Sequence, residues 1–355
     1  MASLLSSAAA SHETLPDSFV FPADERPPAS SAAVELPVID LSAPRDEVRR
    51  AVLEAGKELG FFQVVNHGVP EEALRDMDAA CEEFFALPAE DKAAFYSEDA
   101  NKPNRLFSGS VYRAGGGERY WRDCLRLACA AFPVDDATRG SWPAKPRRIR
   151  DAAERFLVAT RALGMELLRL LCEGVGLRHD YFDGELSGGD VIVNVNHYPP
   201  CPDPARTLGL PPHCDRNLIT LLRQGDVPGL QVAYRGGDWI DVRPVPGAFV
   251  VNFGHQLEAR IRQSFSEYYG NACDIATNGL LKSVEHRAIP DATRPRTSVA
   301  TFIMPTEDCL VAPAEELVAA AGEGPRYRAV TFRDFMEVYK AVGARRESVE
   351  KAFKI

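Results

Sequence analysis

No uninterrupted apolar run in this chain approaches the ~20 residues that a helix needs to cross a bilayer. There is no basic excess either: 41 Lys and Arg stand against 51 Asp and Glu, a net charge of −10. That balance argues against nucleic acid and against anionic membrane surfaces as partners. Eight cysteines are present (81, 124, 129, 172, 201, 214, 273 and 309), yet none form a Cys-x-x-Cys pair or a regular spacing. They read as reduced, mostly buried thiols. The first ten residues, MASLLSSAAA, lack the basic region of a signal peptide and the Arg of a transit peptide, so the expected location is cytoplasmic.

What remains is the profile of an ordinary globular protein: 355 residues, 45% hydrophobic and 26% charged. Residues 1–34 form a lead rich in Ala, Ser and Pro, expected to pack loosely. Strand signals at residues 36–41 and 61–65 alternate with helical periodicity over 45–59 and 71–87, inside an N-terminal part spanning 35–150. A scaffold region, 151–189, follows; it takes in most of a long helix expected from Ile149 to Val175, with Phe156, Leu163, Leu167, Leu168 and Leu171 as its core stripe. From Val191 the pattern changes to short β runs divided by Gly, Pro and Asn, which indicates a sandwich or barrel over residues 190–306. Residues 307–355 are expected to be helical and amphipathic from about Phe332.

Within the β region, His213-Cys214-Asp215 is followed by His286 and, ten residues later, by Arg296-Thr297-Ser298. Side chains at i and i+2 on a strand share a face, so His213 and Asp215 project together while Cys214 turns away. With His286 they make two imidazoles and one carboxylate, the facial triad typical of non-haem Fe(II) oxygenases. Arg296 and Ser298 stand in the same i, i+2 relation, and an Arg fork suits a carboxylate. A His-x-Asp pair alone is common, and Arg296 alone would read as a surface ion pair. The five residues in order carry the case.

On these residues the chain resembles the plant 2-oxoglutarate- and Fe(II)-dependent dioxygenases. The likeness extends from about Leu36 to Tyr339 and includes residues 60–70 (GFFQVVNHGVP) and 196–202 (NHYPPCP). Within that family the stretches 180–187, 213–220, 300–306 and 331–336 are most similar to the grass deoxymugineic-acid dioxygenases and the hyoscyamine dioxygenases. The resemblance implies an α+β fold, a double-stranded β-helix or jelly roll flanked by N- and C-terminal helices. It implies Fe(II) on His213, Asp215 and His286, with 2-oxoglutarate as co-substrate, O₂ as oxidant and ascorbate as a stimulant. Arg296 and Ser298 would hold the distal carboxylate of 2-oxoglutarate, supplemented by Asn196 and Tyr198. Oxidative decarboxylation to succinate would drive hydroxylation of a C–H bond of a small specialised metabolite or hormone-like molecule. No catalytic residue beyond the metal centre is implied, and a monomer is expected.

Three departures matter. His197 stands where relatives carry Tyr, and alternation points it away from the site. His255 replaces the common Asp and reads as structural. Sixteen additional residues, 259–274, separate 254–258 from 275–279, where relatives run almost directly into an Asn-Gly turn. They are either a surface insertion near the pocket mouth or a gene-model artefact, and loops that long are uncommon inside a compact domain. An ascorbate-dependent oxidase of the same fold, or a ligand-binding variant inactivated by the insertion, are the other readings. As for substrate, deoxymugineic acid carries several carboxylates and requires cationic pocket groups, which the sequence does not locate. Phe302, a position that stacks on substrate in relatives, and Met304 point to a flatter, more apolar molecule such as a phenolic, flavonoid, indole or alkaloid.

Overall fold

Two periodicities set the layout: apolar residues every three to four positions in the N-terminal half, and short alternating runs from Val191 onward. The computed structural model describes residues 4–8, 13–23, 25–26, 34–109, 119–130, 132–234, 237–257, 281–322, 324–325, 327–342 and 352–353. Residues 259–274 lie outside the described residues. In chain order the N-terminal half contains α1 (Leu5–Ala8), β1 (Val38–Asp40), α2 (Arg45–Glu58), β2 (Phe61–Val65), α3 (Glu71–Ala86) and α4 (Ala89–Ala93). Then come β3 (Arg105–Ser108), β4 (Asp123–Cys129), α5 (Asp136–Ser141) and α6 (Ile149–Val175). The strand-rich half holds β5 (Val191–Tyr198), β6 (Leu210–His213), β7 (Ile219–Arg223), β8 (Leu230–Ala233) and β9 (Trp239–Asp241). It continues with β10 (Phe249–Phe253), β11 (His286–Ala288) and β12 (Arg296–Ile303). The hairpin strands β13 (Leu310–Val311) and β14 (Val330–Thr331) flank α7 (Glu315–Ala321), and α8 (Phe332–Val342) follows.

Eight strands form one sheet in the order β1-β2-β10-β7-β12-β5-β4-β3, and four form a second in the order β6-β11-β8-β9. Apart from the parallel β1–β2 pair, the strand pairs of both sheets are antiparallel. Phe61 and Val250 of the larger sheet pack with Leu230 and Val232 of the smaller one, so the two close on each other as a jelly roll. The fold is thus α+β, a double-stranded β-helix flanked by helices.

The larger sheet buries its other face under α6. Leu163, Leu167, Leu168 and Leu171 all lie in the core, each contributing about 1.5–3 kcal/mol by leaving water. Close approach is possible because residue 164 is glycine: a Cβ there would meet Ile303 Cδ1 at 2.6 Å. One turn away, Thr160 Oγ1 shares a 3.1 Å hydrogen bond with Thr301 Oγ1 and so fixes the register of helix on sheet. Gly176, at φ 78, ends the helix in the left-handed conformation that a side chain resists.

β5 stops at Tyr198 because Pro199 and Pro200 cannot continue a ladder. Within the lead, Leu5 and Phe19 are buried with Trp121 and Cys201, and Asp123 accepts from the backbone N–H groups of Leu5 and Ser6. That packing gives Cys201 a structural role. α8 closes over the jelly roll through Tyr339, whose hydroxyl donates to the Cys214 carbonyl at 2.9 Å. Among the described residues no helix is long and apolar enough to cross a membrane.

Candidate metal centre

His213 is the last residue of β6, and Asp215 lies just beyond it in the connection to β7. The expected strand pair therefore straddles a strand end. The spacing still brings both side chains to one side, because His213 pairs in register with His286 of β11. Asp215 Oδ1 stands 3.7 Å from His213 Nε2 and 3.8 Å from His286 Nε2. One donor atom from each residue falls within 4.8 Å of the others, and this is the metal-competent cluster found among the described residues.

Each donor is oriented by a second bond. His213 Nδ1 donates to the Pro211 carbonyl at 2.8 Å, and His286 Nδ1 to the Val284 carbonyl at 3.3 Å. A carbonyl can only accept, so both Nδ1 atoms carry a proton, and Nε2 is the nitrogen that each ring turns toward the metal position. Asp215 Oδ2 accepts from Thr220 Oγ1 at 2.6 Å and from Asn252 Nδ2 at 2.9 Å, which leaves Oδ1 for the histidines. Burial, then the neighbouring His286, hold the His213 imidazole well below its ordinary range, in the neutral form that ligates. Burial raises the Asp215 carboxyl, but His286, His213 and the two hydrogen bonds outweigh it and keep the group ionised. Phe61 places its ring edge-on to His286 at 5.2 Å and walls the site on the β2 side. Two imidazoles and a carboxylate, pre-aimed at one point, suit a divalent first-row metal such as iron.

On β12, Arg296 is 2% exposed. Its Nε donates to the Val227 carbonyl at 3.2 Å, Nη1 reaches Ser298 Oγ at 3.5 Å, and the guanidinium lies 5.1 Å from the centre of the Tyr198 ring. Gly229, at φ 152, leaves room for it, since a Cβ there would meet Arg296 Cδ at 3.1 Å. Among the described residues Arg296 has no carboxylate partner. A buried guanidinium without an anion is costly, and a carboxylate co-substrate would supply that anion.

Comparison with known proteins gives the family. Residues 189–305 match the model of the 2OG-Fe(II) oxygenase superfamily, and residues 36–145 match that of the non-haem dioxygenase in morphine synthesis N-terminal family. The chain is 60% identical to 2'-deoxymugineic-acid 2'-dioxygenase of Hordeum vulgare, over 93% of this chain and 91% of that one. It belongs to the 2OG-Fe(II) oxygenase superfamily. Hyoscyamine 6-dioxygenase of Hyoscyamus niger is 35% identical, over 97% of each chain. The crystal structure of JOX2 in complex with 2OG, Fe and JA superposes with a TM-score of 0.85 at 30% identity, covering 100% of this chain and 98% of that one. The protein is therefore a 2-oxoglutarate-dependent dioxygenase, and its family uses Fe(II), 2-oxoglutarate and O₂ on small molecules.

The remaining residues expected at this oxygenase site fall as follows. β5 and β12 pair Arg296 with Tyr198, Ser298 with Asn196 and Phe302 with Ile192, so Asn196, Tyr198 and Phe302 share the face of Arg296. Asn196 accepts from Arg122 Nη1 at 3.1 Å. Phe302 is partly buried and lies opposite Thr220. His197 faces the other way: it stacks on Phe85 at 4.5 Å and hydrogen-bonds with Thr297 Oγ1 at 2.9 Å. His255 stays outside the donor cluster, between Phe335 and Tyr339, while its backbone N–H donates to the Asp215 carbonyl. Sequence reasoning missed Thr220 and Asn252. Thr220 follows Asp215 by five residues at the start of β7 and was a legible candidate; Asn252 reaches the site only through the β7–β10 register.

Proposed function

We propose that His213, Asp215 and His286 bind the Fe(II) of this dioxygenase, and that Arg296 and Ser298 grip the distal carboxylate of 2-oxoglutarate. The observation that carries the co-substrate assignment is the buried Arg296, which lacks an anion among the described residues yet shares a sheet face with Thr220, the partner of Asp215. Asn196 and Tyr198 flank that anchor: Asn196 through its bond to Arg122, Tyr198 by lying under the guanidinium. Iron, when bound, would supply the activation of O₂, the oxidant, with two electrons from 2-oxoglutarate as it decarboxylates to succinate, for hydroxylation of an unactivated C–H bond.

The chain's own part is positional. The two Nδ1–carbonyl bonds and the Thr220 and Asn252 bonds hold the donors in place before any ligand arrives, so little reorganisation is left for catalysis. Phe61 and Phe302 keep water from the centre, and Phe302 offers the substrate a ring to stack on. Residues 35–150 and 151–189 serve as scaffold to a catalytic unit at 190–306, and α8, within the C-terminal segment 307–355, packs on that unit through Tyr339. We assign a monomer acting in the cytoplasm on a small specialised metabolite, without nucleic-acid or membrane partners and with ascorbate as stimulant. The net charge of −10 supports the choice of partners.

The test is iron content together with 2-oxoglutarate consumption. Purified protein should hold about one iron per chain and release succinate when substrate is added, whereas His213→Ala and Asp215→Ala should lose both. Full turnover in either variant would remove these residues from the metal site. Turnover with ascorbate and no 2-oxoglutarate consumption would favour the ascorbate-oxidase alternative.

A further inference from the structure

The sheet face that carries Arg296 and Ser298 also carries guanidinium groups for which metal and co-substrate have no use. Arg105 of β3 lies directly opposite Arg126 of β4, Arg126 opposite Asn194 of β5, and Asn194 opposite Ala300 of β12. Cross-strand partners share a face, so this row runs between two others. On one side is the row of Asn196 and Ser298, next to the Arg296 anchor; on the other is that of Phe302 and Thr220, next to Asp215. Strands are ~4.8 Å apart, so Arg126 stands two strands, roughly 10 Å, to the side of the line from Arg296 to Asp215. A small molecule lying beside the co-substrate falls within reach of its side chain.

Like charges directly opposite each other weaken a sheet, and a buried charge without a partner is costly. Arg126 nevertheless has its Nε buried with no hydrogen-bond partner, as is Oδ1 of the adjacent Asn194. Burial, then Arg216 and Arg105, hold the Arg126 guanidinium down to about 10, while Asp190 acts the other way. Arg216 directly follows Asp215, which puts it at the metal side of the pocket. Around Arg126, therefore, two further guanidiniums stand against one carboxylate, and burial raises that Asp190 carboxyl. Arg105 has partners of its own, the Glu98 carbonyl and the Phe107 ring; the unmatched guanidinium of the row is Arg126, whose Nε finds no hydrogen-bond partner among the described residues.

We infer that Arg126, with Asn194 beside it and Arg105 and Arg216 flanking it, binds a carboxylate of the substrate. The substrate class is thus a small molecule carrying at least one carboxylate near the oxidised C–H bond, and the flat apolar class suggested by Phe302 and Met304 gives way to it. This rests on the dioxygenase reading above and concerns the same pocket.

The experiment compares wild type, Arg126→Gln and Arg126→Lys at saturating iron, 2-oxoglutarate and ascorbate. The substrates are 2'-deoxymugineic acid, which carries several carboxylates, and a neutral flavanone. Wild type should release succinate in response to the carboxylated compound in preference to the flavanone. Loss of a charge-assisted hydrogen bond should raise the KM for 2'-deoxymugineic acid about 10- to 100-fold in Arg126→Gln. Arg126→Lys keeps the charge and should recover part of that loss. Calorimetric binding of 2'-deoxymugineic acid to the metal-free full chain gives the same ranking without turnover and decides the matter if wild type is inactive; weaker binding by Arg126→Lys than by wild type decides it if Arg126→Gln does not fold. An unchanged KM and binding constant in the variants, or a wild type that prefers the flavanone, overturns the inference while leaving the dioxygenase reading intact. Failure of wild type to consume 2-oxoglutarate with any substrate, alongside intact carboxylate binding, overturns the reaction assignment alone.

Discussion

Replacing Arg296 by Lys separates the charge of the co-substrate anchor from its shape. The guanidinium is held by Nε donating to the Val227 carbonyl at 3.2 Å and by Nη1 donating to Ser298 Oγ at 3.5 Å. Those bonds set the plane of the fork, and the Tyr198 ring at 5.1 Å limits its movement. Lysine keeps the positive charge in the same buried place but offers a point charge in place of two parallel donors. At least one charge-assisted hydrogen bond to the distal carboxylate is lost, at about 1.5–3 kcal/mol. The half-saturating 2-oxoglutarate concentration should therefore rise roughly 10- to 100-fold. Iron binding should change little, because Arg296 makes no contact with His213, Asp215 or His286. The assay is succinate release titrated with 2-oxoglutarate at fixed iron, ascorbate and substrate, with metal content measured on the same samples. An unchanged half-saturation would show that Arg296 does not hold the co-substrate, and weakened iron binding would show that it supports the metal instead.

Thr220→Val removes the 2.6 Å bond to Asp215 Oδ2 and leaves Asn252 alone to orient the carboxylate. Iron affinity should fall about 10- to 100-fold in a metal titration, with activity restored by excess iron. In Gly254→Ala the new Cβ collides with the Asn217 backbone carbonyl and displaces the segment that carries Asp215. A stability loss of about 1–3 kcal/mol in a denaturant melt should accompany weaker iron binding. Burial pushes His197 down to about 4 from its ordinary 6.5. Its folded value lies below the unfolded one, so its contribution to stability is complete above pH 6.5 and is lost as the pH falls toward 4. That loss is about 3 kcal/mol over the window; His197→Tyr should flatten the acid limb of a stability-versus-pH curve.

Much of the fold is written locally. α6 begins and ends where its apolar stripe and Gly176 indicate, since helix periodicity and a left-handed cap act over a few residues. The candidate donors His213 and Asp215 are legible for a related reason: an i, i+2 spacing in extended chain turns two side chains to one side. The partners that aim them are not. Thr220, Asn252 and Phe61 sit on three different strands, and only the β7–β10–β2 register brings them under Asp215 and His286. Periodicity within a strand says nothing about which strand lies alongside.

The same limit explains why the cationic side of the pocket is invisible in the sequence. Arg105, Arg126 and Arg216 occur in separate segments, each among ordinary polar neighbours, and each alone reads as a surface arginine. Pairing of β3 with β4, and of β4 with β5, turns two of them and Asn194 into one row. Phe302 and Met304, close to the conspicuous Arg-x-Ser motif, draw attention to an apolar substrate because they are near in sequence. The charges that oppose that reading are near only in space. In a jelly roll the substrate lies across strands, so its chemistry is recorded in cross-strand rows. The proposed His213 and Asp215 ligands are recorded along the chain by their two-residue spacing. A sequence of this family therefore discloses its reaction more readily than its substrate.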